Sequence, residues 1–557
     1  MEDCNLGLCN NPACRKRVPA EFFTRDGATW IRKTCPDCGV TESLVSTDAA
    51  VWQAKRDLWN YVPPGKPCSL HCDKCQANHK PNIVFVDVTN RCNMNCPICI
   101  ATIGAMGFDF NPPLDYFDNI FAEISRITPP PVVLLFGGEP TVRNDLLEII
   151  QLAWKRGLKP HVVTNGIRLA DEEYCRKLCE ARVPFRFAFD GRSPDIYEKL
   201  RRNRAAYDKK MKALANLSKY SRRKHTIIAT AGKGFNDQYI GDLIQFVHEN
   251  RDLFSDLGII PLTENWEPGT FDAGVHTTME DVEKMVQQAV PGGEVEFIPA
   301  GLSYAMKKPR SFFRHKNPRS EVLLLAGVHP NCESWTLLIS DGKRYRGVNH
   351  YLRKPFSKMA VEFAAKAKKI EPRLDKLDPQ KFWQRQRGRL LILRTFAWWL
   401  LASVRFGRLI GNPFTALWRL IFGRKGKRPV GDRTTPRRAR RVLRVGMLPF
   451  EEEHSIDAKR LENCKAVFAY EDLEKVDEAG RGKVKYIPAC LWYPYRNPRL
   501  EKLSAKYGTV GKWTQTTPPS PQDEGRYEPV EEAPVTAPPA GAPVADQRAP
   551  AGVGAGA

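Results

Sequence analysis

Between residues 80 and 300 the chain alternates short apolar runs with longer segments whose apolar residues recur every three or four positions. The short runs, at 83–88, 132–136, 160–164, 185–190, 225–230 and 257–262, predict strands. The longer ones, such as Leu114–Ile127 and Asn144–Arg156, predict amphipathic helices. Strand and helix in regular turn imply βαβ units and a parallel sheet, an α/β fold. The N-terminal pattern is different. Ala20–Lys33 reads as strand, turn, strand, with Asp26-Gly27 as the hairpin turn. From Leu390 to Ala402 a mostly apolar run is broken by Arg394, and Phe414–Phe422 repeats the theme after Gly411-Asn-Pro413. On a helix, Arg387, Arg394, Arg405 and Arg408 fall within about 60° of one another, with Ile392, Phe396, Trp399 and Leu400 largely turned away. A basic stripe opposite Trp, Phe and Leu predicts a helix lying in a membrane interface. A solvated basic helix packed on the barrel, or a nucleic-acid patch whose aromatics stack on bases, are the other readings.

Charge sharpens this picture. The 557 residues carry a net charge of +23, which calls for an anionic partner. From Lys381 to Phe450 there is one acid, Asp432, and the run Arg424–Arg444 suits anionic head groups. An anionic membrane surface is therefore expected, and a nucleic acid is not. No uninterrupted apolar run of ~18 residues occurs, so no spanning helix is expected. The start, Met1-Glu-Asp-Cys4, has no signal-peptide pattern. Sixteen cysteines, most in CxxC-like clusters, argue for metal in a reducing compartment. The expected place is the cytoplasm, peripheral to the inner face of the cell membrane.

The cysteines form three groups. Cys9, Cys14, Cys35 and Cys38 flank the hairpin, which suits tetrahedral zinc or a single rubredoxin-like iron. Cys4 can replace a member of the wide first pair. Such a knuckle stabilises a small domain or carries electrons. Cys68, Cys72 and Cys75 make a CxxxCxxC in a proline-rich loop, with His71 and His79 nearby. Cys92-Asn-Met-Asn-Cys96-Pro-Ile-Cys99 repeats that spacing directly after the strand-like run 83–89. Iron–sulfur clusters normally take four thiolates, so a lone trio leaves one iron open to a small molecule. A zinc knuckle short of one ligand, or three core cysteines, is the bland alternative. Gly137-Gly138-Glu139-Pro140 follows the apolar run 132–136; two glycines permit close backbone approach to a ligand, and the carboxylate can meet a cation.

CxxxCxxC after a strand, followed some forty residues later by GGEP at a second strand end, resembles the radical S-adenosylmethionine (SAM) enzymes. The resemblance implies a partial (β/α)6 barrel, a [4Fe–4S] cluster on Cys92, Cys96 and Cys99, and SAM on the open iron. It further implies one-electron cleavage of SAM to a 5′-deoxyadenosyl radical that removes hydrogen from an unactivated carbon. Gly137, Gly138, Glu139 and Pro140 then meet the methionine amino group, Asn165 and Asp190 give polar contacts, and Ile260 forms an adenine wall. Beyond the barrel, Cys332, Cys464 and Cys490 are candidates to complete an auxiliary cluster with the 68/72/75 trio. The order of parts, with Asn463-Cys464 and Ile487-Pro-Ala-Cys490, resembles the tetraether lipid synthases. That likeness implies a membrane-lipid substrate, carbon–carbon coupling and a ferredoxin- or flavodoxin-type electron donor. A peptide- or protein-modifying radical maturase and a non-catalytic iron–sulfur carrier are the competing functions.

The expected organisation is a Cys-rich knuckle at 1–45, a linker with the auxiliary motif at 46–79 and the barrel at 80–300. A cluster and substrate region follows at 301–376 and 451–513, interrupted by the basic insertion at 377–450. A Pro/Ala-rich tail at 514–557 is too poor in large apolar residues to bury a core and is expected to be disordered.

Overall fold

The computed structural model describes residues 5–58, 68, 70, 81–103, 106–266, 270–313, 326–410, 442–450, 452–462, 464–478 and 480–509. Cys4, His71, Cys72, Cys75, His79, the segment 411–441 and the tail lie outside those residues.

Strands β1 (Leu6–Leu8), β2 (Arg17–Arg25), β3 (Ala28–Cys35) and β4 (Gly39–Ser46) form an antiparallel sheet in that order. The expected hairpin is β2–β3, with Asp26 and Gly27 both at positive φ in the turn. Helix α1 (Ala49–Asp57) follows, its N-terminus capped by the Asp48 carboxylate accepting from the Val51 N–H.

The six strands expected for the barrel are all present: β5 (Ile83–Thr89), β6 (Val132–Gly137), β7 (Lys159–Thr164), β8 (Phe185–Ala188), β9 (His225–Ala231) and β10 (Phe254–Pro261). They pair in parallel and in sequence order. Helices α2 (Leu114–Ser125), α3 (Leu146–Lys155), α4 (Glu172–Glu180), α5 (Pro194–Arg201), α6 (Ala206–Tyr220) and α7 (Ile240–Glu249) connect them. This is the parallel α/β sheet that the alternation predicted, in the partial-barrel order that the resemblance implied. Its strands bury Val84, Val86, Val133 and Leu135 completely against the helical layer, which includes Phe117, Ile120 and Ile149.

The sheet also runs on past the barrel. After α8 (Met279–Ala289) come β11 (Ile298–Pro299), α9 (Lys307–Phe313), β12 (Ser334–Ser340) and β13 (Tyr345–Gly347). Helices α10 (Phe356–Asp375), α11 (Phe382–Ser403) and α12 (Phe406–Ile410) follow, then β14 (Val442–Met447), α13 (Ala458–Leu461), β15 (Ala466–Val476), β16 (Gly482–Pro488) and α14 (Ala489–Tyr507). β14 pairs in parallel with β10, and β15 with β5, so both edges of the barrel are extended. Residues 442–447, placed by the sequence inside the basic insertion, are thus a barrel-sheet strand; their alternation Leu443, Val445, Met447 is that of a half-buried strand.

The insertion's helix differs from expectation. α11 ends at Ser403, so Arg405 and Arg408 are not on it and cannot join a stripe with Arg387 and Arg394. Ile392, Phe396 and Trp399 face inward. Ile392 packs with Phe312, Ile370 and Leu374. Phe396 stacks on Phe363 at 4.6 Å, and Trp399 Nε1 donates to Glu362 at 2.6 Å. Gly388 lets α11 close on α9, since a Cβ there would sit 2.3 Å from the Phe312 ring. Of the expected lipid face only Leu400 is largely exposed. No helix among the described residues is long and apolar enough to cross a membrane.

Candidate metal and cofactor centre

The cysteine trio occupies the loop after β5, where backbone geometry explains the glycines of GGEP. Gly137 has φ +135°, and a Cβ there would lie 2.1 Å from the Thr89 carbonyl oxygen. A Cβ on Gly138 would lie 2.2 Å from the Arg91 carbonyl. The Gly138 and Glu139 N–H groups donate to the Thr89 and Arg91 carbonyls at 2.7 and 2.8 Å. The two glycines thus let this segment close on the end of β5 and on the loop that launches Cys92.

Glu139 is buried. Its Oε1 accepts from the Thr141 N–H and hydroxyl, at 3.1 and 2.6 Å, and from the Thr164 hydroxyl at 2.7 Å. Oε2 accepts from the Asn165 N–H at 2.6 Å and keeps capacity for a further donor. Burial raises its carboxyl above the ordinary value against the pull of these hydrogen bonds, so an arriving ammonium would favour the charged form. Pro140 starts the short helical turn after it. Asn165 reaches the trio's loop, its Nδ2 donating to Asn93 Oδ1 at 2.8 Å.

Cys92, Cys96 and Cys99 are half-buried neighbours. Burial raises the Cys92 thiol well above its ordinary value, and Cys96, Glu139 and Cys99 add to the effect. Burial raises Cys96 too, opposed by Arg201 and Lys210. Neither cation was singled out from the sequence, because each sits on a helix with nothing local to mark it. Arg201, at the end of α5, pairs with Asp190 through two bonds of 2.9 and 3.0 Å, and its charge acts on Cys96. Burial opposes its charge, and Asp190 and Cys96 hold its pKa above the ordinary value. Asp190 also accepts from the Thr230 N–H at 2.9 Å. It therefore positions Arg201, the guanidinium that lies nearest the trio's Cys96. Lys210 donates to the Asn165 and Ala188 carbonyls at 2.5 and 2.7 Å, and burial pushes it down to about 8. Ile260 pairs with Thr230, whose hydroxyl accepts from Arg201 at 3.1 Å, so it stands at the same level of the sheet. A third unmarked residue supports the loop from below: Arg496 on α14 binds Asp87 through two bonds, of 2.8 and 3.1 Å, and donates to the Ala101 carbonyl at 3.0 Å.

The knuckle is organised differently. The sulfurs of Cys9, Cys14, Cys35 and Cys38 lie within 4.8 Å of one another, the only such set of metal-binding groups among the described residues. Their protonation is divided by environment. The Asn11 backbone lowers Cys9, but burial and the neighbouring thiols push it up to about 12. The Asp37 and Cys38 backbone N–H groups bring Cys35 down to about 7. One tetrahedral ion fits this set.

For the remaining cysteines, Cys332 and Cys464 both lie against Gly327. A Cβ at Gly327 would be 2.2 Å from Cys332 Sγ, and Gly327 bridges to Cys464. Cys490 stands two residues past Pro488, which pairs with Val467 on β15. Cys68 packs against the main core. Ala466 pairs with Ile83 at the start of β5, whereas Cys92 follows its end. The strand between spans on the order of 20 Å. A cavity of about 60 Å³ between knuckle and barrel, lined by Phe22, Trp52, Arg56 and Glu452, is too small for a substrate.

Residues 86–247 match the Radical SAM superfamily, and residues 7–47 match an HMPTM N-terminal zinc ribbon domain. The barrel with its trio is a radical SAM domain, whose cofactors are a [4Fe–4S] cluster and SAM. The donor set fits them: three thiols beside two cations, and a carboxylate oxygen with spare accepting capacity.

The chain is 33% identical over 318 residues to the 7,8-dihydro-6-hydroxymethylpterin dimethyltransferase of Methanocaldococcus jannaschii, covering 54% of this chain and 61% of that protein. It is 29% identical to the Fe-coproporphyrin III synthase of Methanosarcina barkeri over 29% of this chain and 39% of the relative. The chain thus spans from two fifths to three fifths of the length of these relatives. Streptococcus suis SuiB bound to S-adenosylmethionine aligns with a TM-score of 0.31 and 17% identity, covering 37% of this chain and 46% of SuiB.

Proposed function

We propose that the protein is a radical SAM enzyme that abstracts one hydrogen from each of two unactivated carbons of membrane-lipid alkyl chains, consuming two SAM and two electrons, and joins those carbons. The supporting observation for the chemistry is the trio's loop, tied to Gly137–Glu139 and faced by Arg201. When bound, the cluster and SAM supply one-electron cleavage of the sulfonium and a hydrogen-abstracting 5′-deoxyadenosyl radical. The protein's part is placement. Glu139 Oε2, already accepting from the Asn165 N–H, would also accept from the ammonium of bound SAM. Asp190 fixes Arg201 beside Cys96, where the guanidinium offsets the negative charge of bound thiolates. Asn165 holds the loop through Asn93. No general base is required for hydrogen abstraction.

The alkyl-chain substrate is supported by the order of cysteine motifs and by the apolar, acid-free helix α11. A ferredoxin- or flavodoxin-type protein would deliver the electron. Cys68, Cys72 and Cys75, with Cys332, Cys464 or Cys490, would hold an auxiliary cluster, and the four knuckle cysteines one zinc or iron ion. A second reading, methylation of a pterin, is favoured by the similarity to the archaeal dimethyltransferase across more than half of this chain. Anaerobic reconstitution with SAM and a perdeuterated-chain lipid discriminates. Deuterium transferred into 5′-deoxyadenosine supports the lipid. Cleavage with no deuterium transfer from lipid, but with turnover of a pterin or a peptide, rejects it.

A further inference from the structure

The described residues contain fifteen exposed large apolar side chains, and seven of them lie on the 22 residues of α11: Phe382, Trp383, Leu390, Leu393, Trp398, Leu400 and Leu401. Trp383 and Trp398 are 77% and 79% exposed. At ~100° per residue, Trp383, Arg387, Leu390, Arg394, Trp398 and Leu401 fall in a band of about 80°. Gly388, Ile392, Phe396, Trp399 and Ser403 fall in a band of similar width on the opposite side, the one packed on α9 and α10. α11 therefore carries large apolar side chains on both sides, and a cluster of them left open to water marks an interaction surface. Its inner side is covered by the protein, while its outer side is open.

The outer side carries the chemistry of an interface between water and lipid. Tryptophan and leucine alternate there with Arg387 and Arg394, both exposed, whose stems can lie along apolar surface with their charges at head-group level. α11 contains no acid, and the chain as a whole carries +23. We propose that the outer face of α11 seats the protein on an anionic bilayer surface, with Trp383, Trp398 and Leu401 at the acyl boundary and Arg387 and Arg394 against lipid phosphates. This inference rests on the lipid reading above and gives it a point of contact. The seat is opposite to the face that a basic-stripe reading of the sequence selects.

The experiment is co-flotation of the reconstituted full chain with vesicles of equal phosphatidylglycerol and phosphatidylcholine, beside vesicles of phosphatidylcholine alone. Circular dichroism and SAM cleavage are measured on the same samples. Expected is binding to the anionic vesicles at 0.1 M salt (~10 Å screening length) that weakens at least tenfold at 1 M (~3 Å). A Trp383→Ser, Trp398→Ser, Leu401→Ser variant should lose at least tenfold in bound fraction with unchanged helicity and SAM cleavage. Arg387→Gln with Arg394→Gln should weaken binding chiefly at low salt. The proposal is overturned if the chain stays off anionic vesicles, or if the triple variant floats as well as the parent, which would assign the contact to 411–441. It is equally overturned if the triple substitution dissolves a dimer, or releases RNA, while vesicles remain unbound. Loss of SAM cleavage in the parent chain would count against the radical chemistry and leave the membrane seat standing.

Discussion

The two cysteine sites put thiols to opposite uses. In the knuckle, four sulfurs already stand within 4.8 Å on a four-stranded sheet, and no other metal-binding groups among the described residues are gathered so closely. After β5, three thiols share one loop. They are not drawn to that spacing, and the charges facing them, Arg201 and Lys210, come from helices in the barrel wall. A closed tetrahedral set satisfies its metal and leaves no coordination place. A trio set against a carboxylate and an arginine leaves a place open and surrounds it with groups suited to an amino acid. Completeness of the ligand set, more than number of cysteines, separates a structural metal from a reactive one.

Substitutions that affect one site and spare the other sharpen that contrast. Cys92→Ala, Cys96→Ala or Cys99→Ala should abolish SAM cleavage, at least 10³-fold, and remove about four irons while the knuckle metal stays; elemental analysis with 5′-deoxyadenosine chromatography checks it. Asp87→Ala should strand the Arg496 charge beneath the trio's loop and cost about 3–5 kcal/mol, read as a lower denaturation midpoint. Gly138→Ala forces a Cβ against the Arg91 carbonyl, with an expected cost of about 1–3 kcal/mol and at least tenfold weaker SAM binding by calorimetry. Cys35→Ser should release the knuckle metal and lower the melting temperature, with SAM cleavage kept within a few fold.

The smallest effect concerns pH. Although burial alone would lower His276, Glu264 and Glu452 hold it above the ordinary histidine value. A raised folded-state pKa contributes stability that is complete in mild acid and is lost as pH rises through the neutral range. Melting temperature should fall slightly over that interval in the parent and stay flatter in His276→Gln.

The barrel was legible because a buried strand and an amphipathic helix leave different periods, and all six strands fell within a few residues of their expected places. The trio and GGEP were legible because their spacing is local. Arg201, Lys210 and Arg496 were not, since each reaches its partner from a helix distant in sequence and looks like a solvated base. The outward face of α11 was misassigned for a related reason. Both of its sides are apolar, so periodicity could not say which one packs, and the deciding residue, Gly388, matters only because Phe312 comes to meet it. β14 was hidden in a basic stretch because a strand of six residues with only three buried positions and a half-exposed arginine between them gives a weak signal.

The most direct measurement is electron paramagnetic resonance of the anaerobically reduced, reconstituted chain before and after addition of SAM. Expected is a [4Fe–4S]⁺ signal that changes on SAM binding, disappears in Cys96→Ala and persists in Cys35→Ser. A signal indifferent to SAM, or one that survives loss of Cys96, would contradict an open iron held by Cys92, Cys96 and Cys99.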